Sequence, residues 1–330
     1  MLCLPDAWVW DSWYVDDGRC FHAFYLKASR ALLDPERRHH RASVGHAVSD
    51  DLVTWRELPD ALVAGDTPAF DDLAIWTGSI LTVEGVHHLF YTGIDRTLTG
   101  RIQAVGHATS RDLMTWERTS TKPILRADPR WYRTFDVDGQ ENFRDPWVLW
   151  DPKDGCWRML ATAETADGVR DWRGCVATAV SDDLTTWTMQ PPLVLGGGFH
   201  QHEVPQIVPA GEGAVLVWCM RDIDAGPGSC PPADGGPAIT GTWTAPGDSL
   251  TGPFHLDRAE PIRIDGTYAG RVVTGRDGGL RLMAFIDTAS DGSFGGCLGD
   301  PVPLHLTDRG TLQPSVTDAT AVIRGLAVAR

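Results

Sequence analysis

Nowhere in the 330 residues is there a run of lysine and arginine, and the formal net charge is −15. A chain this acidic, with no basic patch, has nothing to neutralise a phosphate backbone or dock on an anionic bilayer, so neither nucleic acid nor a membrane is an expected partner. No segment reaches about 18 consecutive apolar residues. The first ten residues, MLCLPDAWVW, also lack a basic stretch leading into an apolar one, so a cytoplasmic location is expected. CxxC spacing is missing too. The seven cysteines (Cys3, Cys20, Cys156, Cys175, Cys219, Cys230 and Cys297) are odd in number and scattered, which predicts reduced thiols, several of them core filler, rather than a disulfide framework or a thiolate zinc site. Histidine pairs do occur, His39-His40 and His87-His88, with His200 and His202 nearby in sequence to one another. Neighbours on a strand face opposite ways, so no metal site is predicted from them. The glycines Gly196 to Gly198 lack the strand-then-helix setting of a phosphate loop, and no cofactor is expected.

What the chain does have is turn-formers and indoles: 35 Gly, 22 Pro and 14 Trp, with 42% apolar and 22% charged residues. That composition predicts many short strands joined by tight turns. Three stretches repeat one pattern: GHAVSDDLVTW (45–55), GHATSRDLMTW (106–116) and VATAVSDDLTTW (176–187). A weaker copy, GTWTAPGDSLTGPF, puts Phe254 in the place of the Trp. Small alternating residues read as a strand, Ser-x-Asp as a turn whose side chains bond the backbone, and the aromatic as the entry to the next strand. The aromatics fall at 55, 116, 187 and 254, with 76 residues left for a fifth unit. Hairpin-like sequence around each copy gives about four strands per unit. Radially stacked repeats of this kind make an all-β, five-bladed β-propeller in a single domain, with blades at roughly 1–60, 61–125, 126–195, 196–257 and 258–330.

The aromatics also serve as a ruler. Asp11 lies 44 residues before Trp55, Asp145 lies 42 before Trp187, and Glu203 lies 51 before Phe254, so all three fall early in their units. First strands line a propeller's axis, and the three acids are therefore predicted to meet in one funnel. Asp50, Asp51, Asp182 and Asp183 belong to turns and are given no chemistry. Paired carboxylates flanking a bond are what glycoside hydrolysis needs: one ionised as nucleophile or base, the other protonated to donate to the leaving oxygen. Arg144 is expected to hold Asp145 ionised. In WVWDSWY (8–14), indoles surround Asp11 and offer apolar faces on which a sugar ring packs. Trp10 and Trp13 flank the acid, with a core role for one of them favoured over sugar contact for both. Asp265 and Tyr268 come early in the fifth unit and are candidates to reach the pocket. The loop at 226–237 is a candidate mobile rim.

These segments resemble glycoside hydrolase families 32 and 68, the invertases, levanases and levansucrases. IWTGSILTVEGVHHLFYTG is similar to the Trp-Ser-Gly-Ser segment and its following strand, FRDPWV to the Arg-Asp-Pro motif, and HEVPQIV to the Glu-Cys-Pro motif with Val204 in place of Cys. The resemblance implies Asp11 as nucleophile, Asp145 as the transition-state stabiliser gripping sugar hydroxyls, and Glu203 as general acid/base, with Trp76 and Arg144 around a terminal furanose. WDSW is nearer to family 68 than to the Asn-Asp-Pro-Asn of family 32. The sequence ends where family 32 usually adds a β-sandwich, so a propeller alone is expected. The implied activity is retaining hydrolysis of a small fructoside, with fructosyl transfer open. Two alternatives stay open: an arabinofuranosidase- or xylosidase-type propeller hydrolase, and a sugar-binding propeller without turnover.

Overall fold

A computed structural model describes residues 1–169, 172–226 and 238–315. All of the rim candidate at 226–237 after Gly226, including Cys230, and the last fifteen positions lie outside the described residues. Five antiparallel sheets follow one another along the chain. The first holds β1 (Ala7–Asp16), β2 (Phe21–Ser29), β3 (Ser43–Ser49) and β4 (Arg56–Leu62), and the second β5 (Ala74–Val83), β6 (Val86–Ile94), β7 (Gln103–Ser110) and β8 (Glu117–Arg118). The third holds β9 (Phe143–Asp151), β10 (Cys156–Glu164), β11 (Gly174–Ser181) and β12 (Thr188–Leu195), and the fourth β13 (Glu203–Ala210), β14 (Gly213–Met220), β15 (Gly241–Gly247) and β16 (Glu260–Pro261). The fifth runs β17 (Thr267–Thr274), β18 (Leu280–Thr288), β20 (Val302–Leu306) and β21 (Leu312–Pro314), with β19 (Phe294–Leu298) pairing the far end of β18.

The first strands form a closed ring, because β1 packs on β5, β5 on β9, β9 on β13, β13 on β17, and β17 on β1. This is the five-bladed propeller expected from the repeat. The repeated turn has one geometry in all three strong copies. The Asp carboxylate (Asp51, Asp112, Asp183) accepts the amides two and three residues on, the Leu after it has a positive φ, and that Leu carbonyl accepts the Trp indole N–H. Such bonding pulls Asp51 and Asp112 down to about 2, with the backbone amides the leading cause.

Two of the marker indoles, Trp116 and Trp187, then wedge between blades. Phe24 stacks on His46 with ring centroids 4.4 Å apart and receives the edge of Trp116 from the second blade at 5.5 Å. Phe90 stacks on His107 at 4.5 Å and receives Trp187 from the third at 5.7 Å. Both pairs have the edge-to-face arrangement that the ring quadrupole favours.

The N-terminus is stitched to the last blade. Leu2 and Leu298 exchange backbone bonds of 3.0 Å in each direction, and the amino terminus bonds Asp300. Cys3 and Cys297 form a disulfide, Cα atoms 4.6 Å apart. This corrects the expectation that every thiol is reduced. The two cysteines are 294 residues apart in sequence, and only closure of the ring brings them together.

Candidate active site

The five innermost strands share a defect. Register slips between Trp10 and Ser12 in β1, between Trp76 and Gly78 in β5, opposite Leu160 and Thr162 in β9, between Glu203 and Gln206 in β13, and between Tyr268 and Arg271 in β17. A bulge breaks the two-residue alternation and re-aims a side chain, and five at one level turn a ring of strands toward a common centre. Asp11 and Thr77 are the extra residues in the first two blades. In the other three the bulge carries a residue with positive φ: Asp145 at 59°, Val204 at 53° and Ala269 at 49°. A β-branched Val in that region is a steric outlier, a cost of order 1–3 kcal/mol that the surrounding fold has to sustain.

The bulges converge on a cavity of about 750 Å³ lined by Asp11, Asp145 and Glu203 together with Trp10, Trp76, Arg144 and Tyr268. Thr77 Oγ1 donates to Asp11 Oδ2. Asp145, 3% exposed, receives Thr162 Oγ1 at 2.8 Å and the Val204 amide at 3.0 Å, both on Oδ2. Its own amide donates to Thr92 Oγ1 at 2.9 Å. Glu203 is gripped at both oxygens: Arg144 donates to Oε1 at 2.6 Å and the Tyr268 hydroxyl to Oε2. The Arg144 guanidinium Nε lies 3.6 Å from Asp145 Oδ2, so one cation faces two acids. On one wall the His39 ring sits edge-on between Trp10 (6.4 Å) and Trp76 (6.0 Å), and Trp76 Nε1 donates to the His39 carbonyl at 2.7 Å.

Electrostatics raise two of the acids. Burial pushes Asp11 up to about 6, the Thr77 bond pulls it back, and the charges of Asp145 and Glu203 push it up again. Asp145 is also raised, first by burial, with Arg144 opposing and Glu203 reinforcing the rise. Arg144 favours the ionised form of Asp145, but it is shared with Glu203, and desolvation outweighs its pull, so the net shift is upward. Behind the wall, Glu164 is held down at about 2; burial opposes this, but bonds from His200 and Asn142 and the charge of Arg173 prevail. Its carboxylate anchors Asn142 and Gln201, both at the cavity surface.

Two predicted contacts are corrected. Trp13 is 0% exposed and opposes Phe24 in the core, further along β1 and away from the cavity. Asp265 is exposed and lines a separate shallow depression with Gly266 and Thr288, since β17 starts only after it. The cavity also takes residues that sequence reasoning missed: Thr77, Gln103, Gln201, Arg38, and the Arg221–Asp287 pair, bonded at 3.1 and 3.2 Å. Thr77 was legible in principle, as the middle of IWTGS. The others sit at strand ends and loops with no repeat to mark them. Arg271, fully buried beneath the bulges, donates to the carbonyls of Gly78, Val204 and Pro205 and so ties the second, fourth and fifth blades together. Of the expected histidines, His202 packs edge-on to Phe199 with its centroid 5.6 Å away, and His88 bonds His107 at 3.0 Å.

The chain is similar in sequence and in fold to known proteins. The chain is 31% identical over 196 residues to beta-fructofuranosidase, insoluble isoenzyme CWINV6 of Arabidopsis thaliana, covering 57% of this chain and 32% of that protein. It is 32% identical over 180 residues to a fructan 1-exohydrolase of Bromus pictus, covering 52% and 27%. The chain thus spans about a third or less of the length of these relatives. Among solved structures, inulosucrase from Halalkalicoccus jeotgali bound to kestose superposes with a TM-score of 0.77 at 21% identity, covering 93% of this chain and 87% of that one. The Bombyx mori GH32 beta-fructofuranosidase gives 0.71 at 21%, covering 95% and 64%. These likenesses establish the propeller fold. The family model for the glycosyl hydrolases family 32 N-terminal domain matches residues 13–287, and this chain belongs to that family.

Proposed function

We propose that the protein is a retaining glycosidase that releases fructose from small β-fructofuranosides. The observation that carries the reading is the meeting of Asp11, Asp145 and Glu203, from three blades, in one cavity walled by Trp10 and Trp76. Two carboxylates working in turn are what a retaining mechanism requires. An Asp11 oxygen attacks the anomeric carbon while the bond to the leaving sugar breaks, and the Glu203 carboxyl delivers its proton to the departing oxygen. Water then attacks the same carbon, gives its proton to Glu203, and the ester to Asp11 breaks with release of fructose. An acceptor hydroxyl in place of water gives transfer. Asp145 accepts hydrogen bonds from sugar hydroxyls, and Arg144 and Tyr268 orient Glu203 through its two oxygens. The indoles supply the dry face for the ring.

Family membership and the kestose held by the superposing inulosucrase support fructose as the sugar. Location belongs to the same proposal. A cytoplasmic site was expected, whereas the Cys3–Cys297 disulfide favours an oxidising compartment, and counting free thiols in protein from its native host decides. The test of function is incubation with sucrose, inulin-type oligomers and aryl pentofuranosides, beside Asp11→Asn and Glu203→Gln. Fructose release from the first two, abolished in both variants, is expected. Turnover of pentofuranosides alone would move the assignment to a pentofuranosidase. Binding without turnover of any substrate would leave a lectin.

A further inference from the structure

The hairpin joining β1 to β2 carries chemistry that the glycosidase reading does not use. Asp17, Cys20 and His22 each offer one donor atom, and the three atoms lie within 4.8 Å of one another. His22 Nε2 is 3.5 Å from Cys20 Sγ and 3.6 Å from Asp17 Oδ2. A tetrahedral zinc with Zn–S of about 2.3 Å and Zn–N of about 2.0–2.1 Å separates its sulfur and nitrogen ligands by about 3.5 Å. Carboxylate oxygen and imidazole nitrogen on such an ion are about 3.3 Å apart. The two spacings to His22 are thus close to those of ligands around a small cation.

Local structure explains the convergence. Asp17 Oδ1 accepts the amides of Arg19 and Cys20, each at 2.7 Å, which folds the turn and leaves Oδ2 pointing to the cluster. Cys20 and His22 are two apart, so as the chain enters β2 their side chains share a face, unlike the adjacent histidine pairs. His22 is buried, and its Nδ1 bonds His46 Nε2 at 2.8 Å. When Nδ1 carries the proton of that bond, Nε2 presents a lone pair to the cluster, the arrangement by which outer partners orient metal-bound imidazoles. His46 is itself fixed by stacking on Phe24. Cys20 is half-buried, which leaves one side open for a water as fourth ligand. Arg19, which touches Asp17 Oδ2 at 3.3 Å, is 90% exposed and free to swing away.

We propose that Asp17, Cys20 and His22 form a binding site for a soft divalent cation of the zinc type, completed by water. The Cys20 thiol loses its proton to solvent as the sulfur–metal bond forms, and no electron changes hands. The site lies on a hairpin next to Tyr14, Val15 and Asp16, which line the second cavity away from Asp11, so its role is to brace the first blade.

The test uses the full chain, stripped with a chelator and titrated with Co2+ and then Zn2+. One equivalent of Co2+ is expected to bring up a thiolate-to-cobalt charge-transfer band, which Zn2+ then bleaches. Zinc is expected to raise the melting temperature by several degrees. Cys20→Ser is expected to abolish the band and, with His22→Gln, to weaken zinc binding by roughly ten- to a hundredfold or more. Asp17→Asn keeps the turn-capping oxygen while removing the charge, and is expected to fold normally with weakened binding. No charge-transfer band in the wild type, or a band that survives Cys20→Ser, overturns the site. Fructoside turnover is expected to continue in Cys20→Ser, so failure here is separable from failure of the glycosidase reading.

Discussion

Asp11 has to be a carboxylate in a place that favours the carboxylic acid. Its folded-state value of about 6 stands above the ordinary 3.8, so between those two pH values the folded protein holds a proton that the unfolded chain has lost. The stability from this group is complete below 3.8 and is lost as pH rises through about 6. At pH 7 the penalty is on the order of 2–3 kcal/mol for a shift of about two units. Asp11→Asn is therefore expected to raise the unfolding free energy at pH 7 by that order and to change it little at pH 4, as read by denaturant titration at both pH values. The same variant is expected to lose at least about 10³-fold in kcat, since it removes the attacking atom. The acidic limb of the kcat/KM profile is expected near pH 6. Because the Thr77 hydroxyl pulls Asp11 down, Thr77→Val is expected to move that limb to higher pH, while a limb that stays put would deny Thr77 its positioning role. Sequence spacing found the three acids. It missed Thr77, because phase counting followed carboxylates and passed over the uncharged bulge residue in the middle of IWTGS.

At the scale of the element, the five matched bulges do the positioning and the repeated turns do the packing. The turns were legible because their chemistry is local: Ser-x-Asp-Leu folds back on its own amides wherever it occurs. The bulges were not. Reading WVWDSWY with a strict period of two puts Trp10 and Trp13 on opposite faces, whereas the extra residue at Asp11 turns its carboxylate to the cavity and leaves both indoles on one face, Trp10 at the wall and Trp13 further along in the core. Phase counting met the same limit, since Glu203 stands one place before its left-handed residue whereas Asp145 is that residue. Phe90 tests the inter-blade packing. It is fully buried between His107 and Trp187, and Phe90→Ala is expected to cost about 3–5 kcal/mol in urea unfolding while leaving KM unchanged. A cost below 1 kcal/mol would mean that the marker aromatics are not what joins the blades.

Across the whole molecule, the cavity exists only because the ring is closed. The first blade supplies Asp11, the last supplies Tyr268, and the seam between them is held by the Leu2–Leu298 bonds and the Cys3–Cys297 bridge. No spacing rule reveals a bridge between the two ends of a chain, which is why composition pointed to reduced cysteines. Cys3→Ser is expected to lower stability by roughly 2–5 kcal/mol under oxidising conditions. The wild type with reductant is expected to match the variant. The central claim is the division of labour between Asp11 and Glu203, and peptide mass spectrometry of Glu203→Gln, acid-quenched during turnover of an activated fructoside, tests it most directly. The expected result is one added hexosyl group on the peptide containing Asp11. No adduct, or an adduct on the peptide containing Asp145, would contradict it.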